Sequence, residues 1–373
     1  MKKLGFGLMR LPLLDPNDTT SVDVETVKVM ADTFLERGFT YFDTAAPYHR
    51  GSSEIAFREA VVKRYPREAY TITDKLSMFM IKDEAEIPGF FDAQLERLGL
   101  DYVDYYWLHG LNFETYRQAQ EMHAFEFISR LRDEGRAKHI GLSFHDKPEL
   151  LDEILTAHPE LEYVQIQLNY LDWEDVAIQS RRCYEVATKH GKPVIVMEPV
   201  RGGALASVPA EAEALLHSLD SEASIASWAI RFAASHDNVM TVLSGMTAPE
   251  QMLDNTGYMA DFKPLTEHEA ETVLKVAGVI RSSIAVPCTA CHYCTDGCPM
   301  QIPIPEYFAV YNYYLARIKM PGTAPQSYYA SLAEGRGKAS ECIKCGQCEE
   351  RCPQHLPIRH NLELVVEALE TKN

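Results

Sequence analysis

Eight of the nine cysteines in this chain fall in two runs of identical spacing, CxxCxxCxxxCP. The first run is Cys288, Cys291, Cys294 and Cys298; the second is Cys342, Cys345, Cys348 and Cys352. Any fold this chain adopts must gather these thiols in fours. A spacing of two lets three thiolates from one tight loop take three corners of a cubic cluster, so the fourth ligand comes from elsewhere. In two-cluster proteins of this spacing, the fourth cysteine of each run ligates the other cluster. The spacing therefore predicts Cys288, Cys291, Cys294 and Cys352 on one 4Fe–4S cluster. Cys342, Cys345, Cys348 and Cys298 would hold the second. Zinc is the competing reading, but zinc sites generally use paired CxxC units at tetrahedral geometry.

Metal rather than disulfides is also what the rest of the chain suggests. The N-terminal stretch "MKKLGFGLMRLPLLDPND" has no long apolar core and no small-residue cleavage site, so no signal peptide is expected. A reducing cytoplasm is the expected compartment. No run of about twenty apolar residues is present, which argues against a membrane span. The net charge of −18 disfavours nucleic acid and anionic membrane surfaces as partners. The ninth cysteine, Cys183, reads as a packed helix residue.

The remaining three quarters of the chain have a different texture. Short runs rich in Val, Ile, Tyr and Phe recur at 2–9, 39–44, 69–76, 102–109, 139–144, 163–169, 193–199 and 239–245. Their near-continuous apolarity fits strands covered on both faces. Helix-period segments separate them. One ends at Gly38, a helix stop, and another opens at Ser52 and Ser53, which can cap it. Eight strand–helix units in about 260 residues predict a (β/α)8 TIM barrel. An open doubly wound sheet is the alternative, but no GxGxxG follows the first strand. Past Pro287, Cys, Pro, Gly and Tyr rise. The expected boundary lies near 282, dividing a 1–281 barrel with its linking helix from a 282–373 cluster domain. Helices are expected over 303–320 and 362–372.

The cysteine-rich part resembles a bacterial dicluster ferredoxin. The 43 residues between Cys298 and Cys342 exceed the compact form and read as helical. The segment is more similar to the mainly α-helical ferredoxin-like modules attached to redox enzymes.

In a barrel, chemistry sits at the C-terminal strand ends. Read in order, these ends supply Asp43 and Tyr48, then Lys75, then His109. A Lys cation beside a tyrosine favours the phenolate and lowers the phenol's pKa from about 10. An Asp can hold the Lys, and a His can orient a substrate oxygen. This set suits protonation of a carbonyl oxygen as hydride reaches its carbon. Each residue alone has a plainer reading: a helix cap, a loop aromatic, a surface ion pair and a core histidine. Together they match the tetrad of the aldo-keto reductases in type, order and strand position, and the resemblance covers essentially the whole barrel.

That resemblance implies NADP(H) or NAD(H) as cofactor and a small-molecule carbonyl or alcohol as substrate. It places Ser143 and Gln165 against the nicotinamide amide, Met197 where a tyrosine usually stacks, and the loop from Arg201 to Gly203 around the pyrophosphate. Asp254 and Asn255 match adenine contacts. Four positions depart from the family pattern. Phe144 replaces an Asn, and Met197 replaces the tyrosine. Gly245 and Gln251 replace cations that hold the 2′-phosphate of NADP, which puts an NADPH preference in doubt.

Hydride chemistry moves two electrons at once, whereas a 4Fe–4S cluster moves one. Three readings follow for the clusters. They exchange electrons with the barrel site through a group such as flavin. They connect the enzyme to a redox-protein partner. Or they only fold the C-terminal domain. A different class is an electron-transfer protein whose barrel does no ordinary nicotinamide chemistry; the complete tetrad argues against it.

Overall fold

The computed structural model describes residues 2–175, 178–315 and 325–370. Eight parallel strands close into a barrel in chain order. They are β1 (Leu4–Gly7), β2 (Tyr41–Asp43), β3 (Thr71–Ser77), β4 (Val103–Leu111), β5 (Ala137–Phe144), β6 (Tyr163–Gln167), β7 (Val194–Met197) and β8 (Val239–Gly245). All eight expected strands are present. Closure comes from β1 pairing with both β2 and β8, which leaves no open edge.

Side chains alternate faces along a strand, so residues two apart share the barrel interior. This period sorts the interior into layers. Tyr41, Tyr105, Trp107, Ile195 and Leu243 form a buried apolar plug. Two residues further along their strands stand Asp43 and His109, beyond Tyr41 and Trp107. Lys75 follows Thr73, which bonds the Tyr41 hydroxyl at 2.6 Å. The polar rim thus rests on a dry aromatic floor.

Gly141 on β5 shows how tightly that floor is packed. A Cβ there would come within 2.6 Å of the Trp107 ring and 2.4 Å of the Tyr163 carbonyl oxygen.

The helices around the barrel follow the predicted rhythm. The first, Val24–Glu36, is capped by Asp23, whose side chain accepts from the Thr26 N–H, and Gly38 follows in the left-handed region at φ 77°. The expectation that serines cap the helix at Ser52–Phe57 is not met. The Ser53 hydroxyl bonds the Leu8 carbonyl at 3.0 Å and the Thr44 hydroxyl at 2.8 Å instead. Two buried long-range partners there outcompete a local cap. Among the described residues, no helix is long and apolar enough to cross a membrane.

The chain divides into two compact units, 1–200 with 226–270, and 201–225 with 271–373. The second has its own core of Val286, Ile302, Ile304, Tyr307, Phe308 and Leu362, packed with Cys294, Cys348 and Cys352. Its helices include Ile304–Leu315, Pro325–Leu332 and Ile358–Val365. The expected extensions of helix to Met320 and Lys372, and the start of another at Val176, lie outside the described residues. The Tyr307 hydroxyl donates to the Gly337 carbonyl at 2.9 Å, tying the first of these helices to the approach to the second cysteine run.

Gly141→Ala is expected to destabilise the barrel by about 1–3 kcal/mol, because backbone and a wedged indole cannot both retreat. Trp107, Trp173 and Trp228 are the chain's three tryptophans, and all lie in the barrel unit. Urea unfolding followed by tryptophan fluorescence therefore reads this change, and an unshifted midpoint would contradict the packing.

Candidate active site and cysteine cavities

The barrel site is built around one cation. Lys75 on β3 is fully buried, and its Nζ donates to Asp43 Oδ1 at 2.6 Å and to the Thr44 carbonyl at 2.7 Å. Its third donor direction meets the Tyr48 hydroxyl at 3.4 Å. Gln165 Nε2 donates to the other Asp43 oxygen at 3.3 Å. Burial lifts the Asp43 carboxyl, while Lys75 and then Gln165 favour its charged form. The His109 ring stands edge-on to Tyr48, with centroids 5.9 Å apart. All four residues of the expected tetrad therefore converge at one end of the barrel.

Their proton states differ from the expectation in one respect. The Tyr48 phenol is pushed well above its usual value, by burial first and then by Asp43. Burial and the carboxylate outweigh the opposing Arg10 cation, so Tyr48 is a neutral phenol at rest. His109 is held well below its usual value by burial and by Lys75, and is a neutral imidazole at pH 7. Its Nδ1 shares a 2.7 Å hydrogen bond with the Ser77 hydroxyl, which leaves Nε2 for another partner.

Several contributors carried no signal in the sequence. Ser77 is one, since a serine at a strand end is ordinary. Behind Lys75, on the outer face of β3, the buried Asp74 accepts from Gln94 Nε2 and from the Lys75 backbone N–H, each at 2.8 Å. The Tyr106 hydroxyl donates to Gln94 Oε1 at 2.6 Å. Glu54, also buried, pairs with Arg97. Burial, then Glu54, lift the Asp74 carboxyl well above its usual range. This network clamps the strand that carries Lys75.

Around the rim, Ser143 Oγ accepts from the Gly110 N–H at 2.7 Å, next to His109. Phe144 is buried, and Met197 ends β7. Asn255 donates to the Ser244 hydroxyl at 3.0 Å and accepts from Tyr258 at 2.7 Å. Asp254 is exposed on the same helix, Pro249–Ala260. Gln251 Oε1 accepts from the Thr247 N–H at 2.8 Å, closing the turn before that helix. Beside Gly245, the Arg10 side chain lies 3.6 Å from where a Cβ would stand, and Arg10 pairs with Glu198 at 3.0 Å. A second carboxylate oxygen of Glu198 is buried without a hydrogen-bond partner. Arg201 is placed in the second unit, where its Nη2 donates to the Pro287 carbonyl at 3.0 Å.

In that unit, the cysteines gather across the two runs as the spacing predicts. Cys288, Cys291, Cys294 and Cys352 line one cavity. Cys298, Cys342, Cys345 and Cys348 line a second. Ile304 lines both. Burial pushes the Cys288 and Cys348 thiols up to about 11, so these groups ionise only beside a strong cation. Four thiols around each apolar-walled cavity are a donor set suited to iron–sulfur ligation.

A closed parallel barrel with an Asp–Lys–Tyr–His rim, joined to a cysteine-rich unit, defines an oxidoreductase of the barrel-reductase class with an iron–sulfur module. The chain belongs to the aldo/keto reductase family, whose model matches residues 3–277, and residues 287–356 match a 4Fe-4S dicluster domain. It is similar to the NADH-specific methylglyoxal reductase of Escherichia coli K12, at 24% identity over 270 residues, which are 61% of this chain and 82% of that one. An aldo-keto reductase of Gibberella moniliformis is 28% identical over 145 residues, 37% of this chain and 42% of its own length. Among solved structures, the holo form of aldo-keto reductase AKR11C1 from Bacillus halodurans superposes with a TM-score of 0.60 at 25% identity, covering 74% of this chain and 91% of that one.

Lys75→Met would strand the buried Asp43 carboxylate and is expected to cost about 3–5 kcal/mol. The double variant Asp43→Leu/Lys75→Met should recover part of that loss. Urea midpoints by tryptophan fluorescence make the comparison. A single variant as stable as the parent would contradict the buried ion pair.

Proposed function

We propose that this chain interconverts a carbonyl and an alcohol with a nicotinamide cofactor, and that it carries two 4Fe–4S clusters for electron transfer. The observation that carries the reading is the neutral Tyr48 phenol beside the buried Asp43–Lys75 pair and the neutral His109. A bound nicotinamide supplies a hydride to the carbonyl carbon. Tyr48 holds the proton that the carbonyl oxygen takes, and His109 Nε2 fixes that oxygen, its ring set by Ser77. As Tyr48 gives up its proton, the Lys75 ammonium stabilises the phenolate it leaves. Asp43 and Thr44 hold Lys75 in place throughout.

The residues fit an anionic cofactor in one respect that the sequence reading missed. Gly245 lacks a side chain, but Arg10 stands beside it, its guanidinium paired with Glu198. Arg10 is the cation that would meet a cofactor phosphate, and Glu198 would compete for it. The competing carboxylate and the neutral Gln251 favour NAD(H) over NADP(H), in keeping with the name of the Escherichia coli relative. By resemblance to the family, Ser143, Gln165 and Met197 are assigned to the nicotinamide, and Asp254 and Asn255 to the adenine.

Cys288, Cys291, Cys294 and Cys352 would hold one cluster, and Cys298, Cys342, Cys345 and Cys348 the other, on the strength of the two shared cavities. No residue of the tetrad carries a one-electron state, so the clusters serve a redox-protein partner rather than the hydride step. A reducing cytoplasm suits the eight thiols.

Methylglyoxal with NADH is the first assay. Tyr48→Phe is expected to lower turnover by about 10²–10⁴-fold while iron content and NADH affinity stay at the parent's values. Turnover equal to the parent's would remove Tyr48 from the chemistry.

A further inference from the structure

We infer that Arg201 raises the reduction potential of the cluster at the Cys288, Cys291, Cys294 and Cys352 cavity above that of its neighbour, making the first cavity the resting place of an electron. The inference rests on the cluster reading above and concerns two cavities that differ in their charges.

Beside the first cavity the cation is buried. Arg201 is only 3% exposed, and its Nη2 bonds the carbonyl of Pro287, the residue before Cys288. It takes the left-handed conformation at φ 50°, as do Gly202 and Gly203 after it. A non-glycine residue in that region is held there by its surroundings. The buried Arg201 guanidinium therefore stands beside this cavity. Glu306, next to Pro305 of this cavity's lining, is 3.9 Å from Arg336. Screening by water is weak at a buried guanidinium.

Around the second cavity the cations are exposed and matched. Arg359 lines it but pairs with Glu349 at 2.6 Å, and Lys344 pairs with Glu363 at 2.6 Å. The Arg359 side chain is 46% exposed and that of Lys344 is 64% exposed. Cys345 is exposed, and Ile343 beside it is 59% exposed. This is the approachable cavity, and its net local charge is close to neutral.

Reduction adds one negative charge to a cluster, and a fixed buried cation stabilises the added charge. Arg201 therefore favours the reduced state at the first cavity. Ile304 lies against both cavities.

The test is a potentiometric titration of the anaerobically purified full-length protein, followed by EPR of the reduced clusters. Cys352→Ser assigns the signals, since the one it removes or alters belongs to the first cavity. The parent is expected to show the first-cavity midpoint above the second. Arg201→Gln should lower the first midpoint by a shift of about tenfold in the one-electron equilibrium, about 59 mV. The second midpoint should stay in place, and Arg201→Lys should keep the first near the parent's. Equal first midpoints in the parent and Arg201→Gln would overturn the inference, as would a parent whose second midpoint is the higher. If Arg201→Gln takes up no iron, Arg201→Met and Arg201→Lys decide it, and equal first midpoints in these two would overturn it. A parent protein that binds no iron would instead sink the cluster reading itself.

Discussion

A lysine with no solvent contact has three hydrogens to place, and Lys75 places them on Asp43, Thr44 and Tyr48. An ammonium withdrawn from water is tolerated only when paired and fully bonded. This one demand fixes the ends of β2 and β3 against each other and holds Tyr48 at the rim. The second carboxylate oxygen of Asp43 extends the constraint across the barrel to Gln165 on β6. Behind it, Asp74, Gln94 and Tyr106 fasten the same strand from outside. Tyr48 is thus positioned by a charge that never reaches solvent.

The dry floor beneath matters for the same reason. Tyr41, Tyr105 and Trp107 exclude water from below the pair, so the electrostatic terms act in a low-dielectric setting. That setting drives the two opposite shifts at the rim. It raises Tyr48, whose charged form is an anion, and lowers His109, whose charged form is a cation. One environment leaves both groups neutral and ready to donate or to orient.

Much of this was legible in the sequence, and the reasons are physical. Strands buried on two faces must be continuously apolar, so all eight announced themselves. Residues two apart share a face, so Asp43, Lys75 and His109 could be placed at one rim from strand ends alone. The crossed grouping of cysteines followed from spacing, because three thiols of one loop leave a fourth corner open. What stayed hidden depends on contacts between distant segments that leave no period. Ser53 looked like a helix cap and instead bonds Leu8 and Thr44. Arg10 reaches Gly245 and Glu198 across more than 180 positions of sequence. Arg201, expected at the pyrophosphate from its place after β7, also bonds the distant Pro287 carbonyl. Tyr48 was expected to ionise more readily beside a lysine, but burial decided the sign.

The account joins two kinds of redox chemistry in one chain without making one feed the other. In the proposed reaction the tetrad would give a proton to a carbonyl that takes its hydride from nicotinamide, and the cysteine cavities suit single electrons. Low-temperature EPR of anaerobic protein mixed with NADH, and separately with NADPH, tests this division most directly. The account predicts no reduced-cluster signal from either nucleotide alone, with a full signal once dithionite is added. A reduced-cluster signal from nicotinamide alone would contradict it, and would require a group within the chain, such as a flavin, that splits the hydride into single electrons.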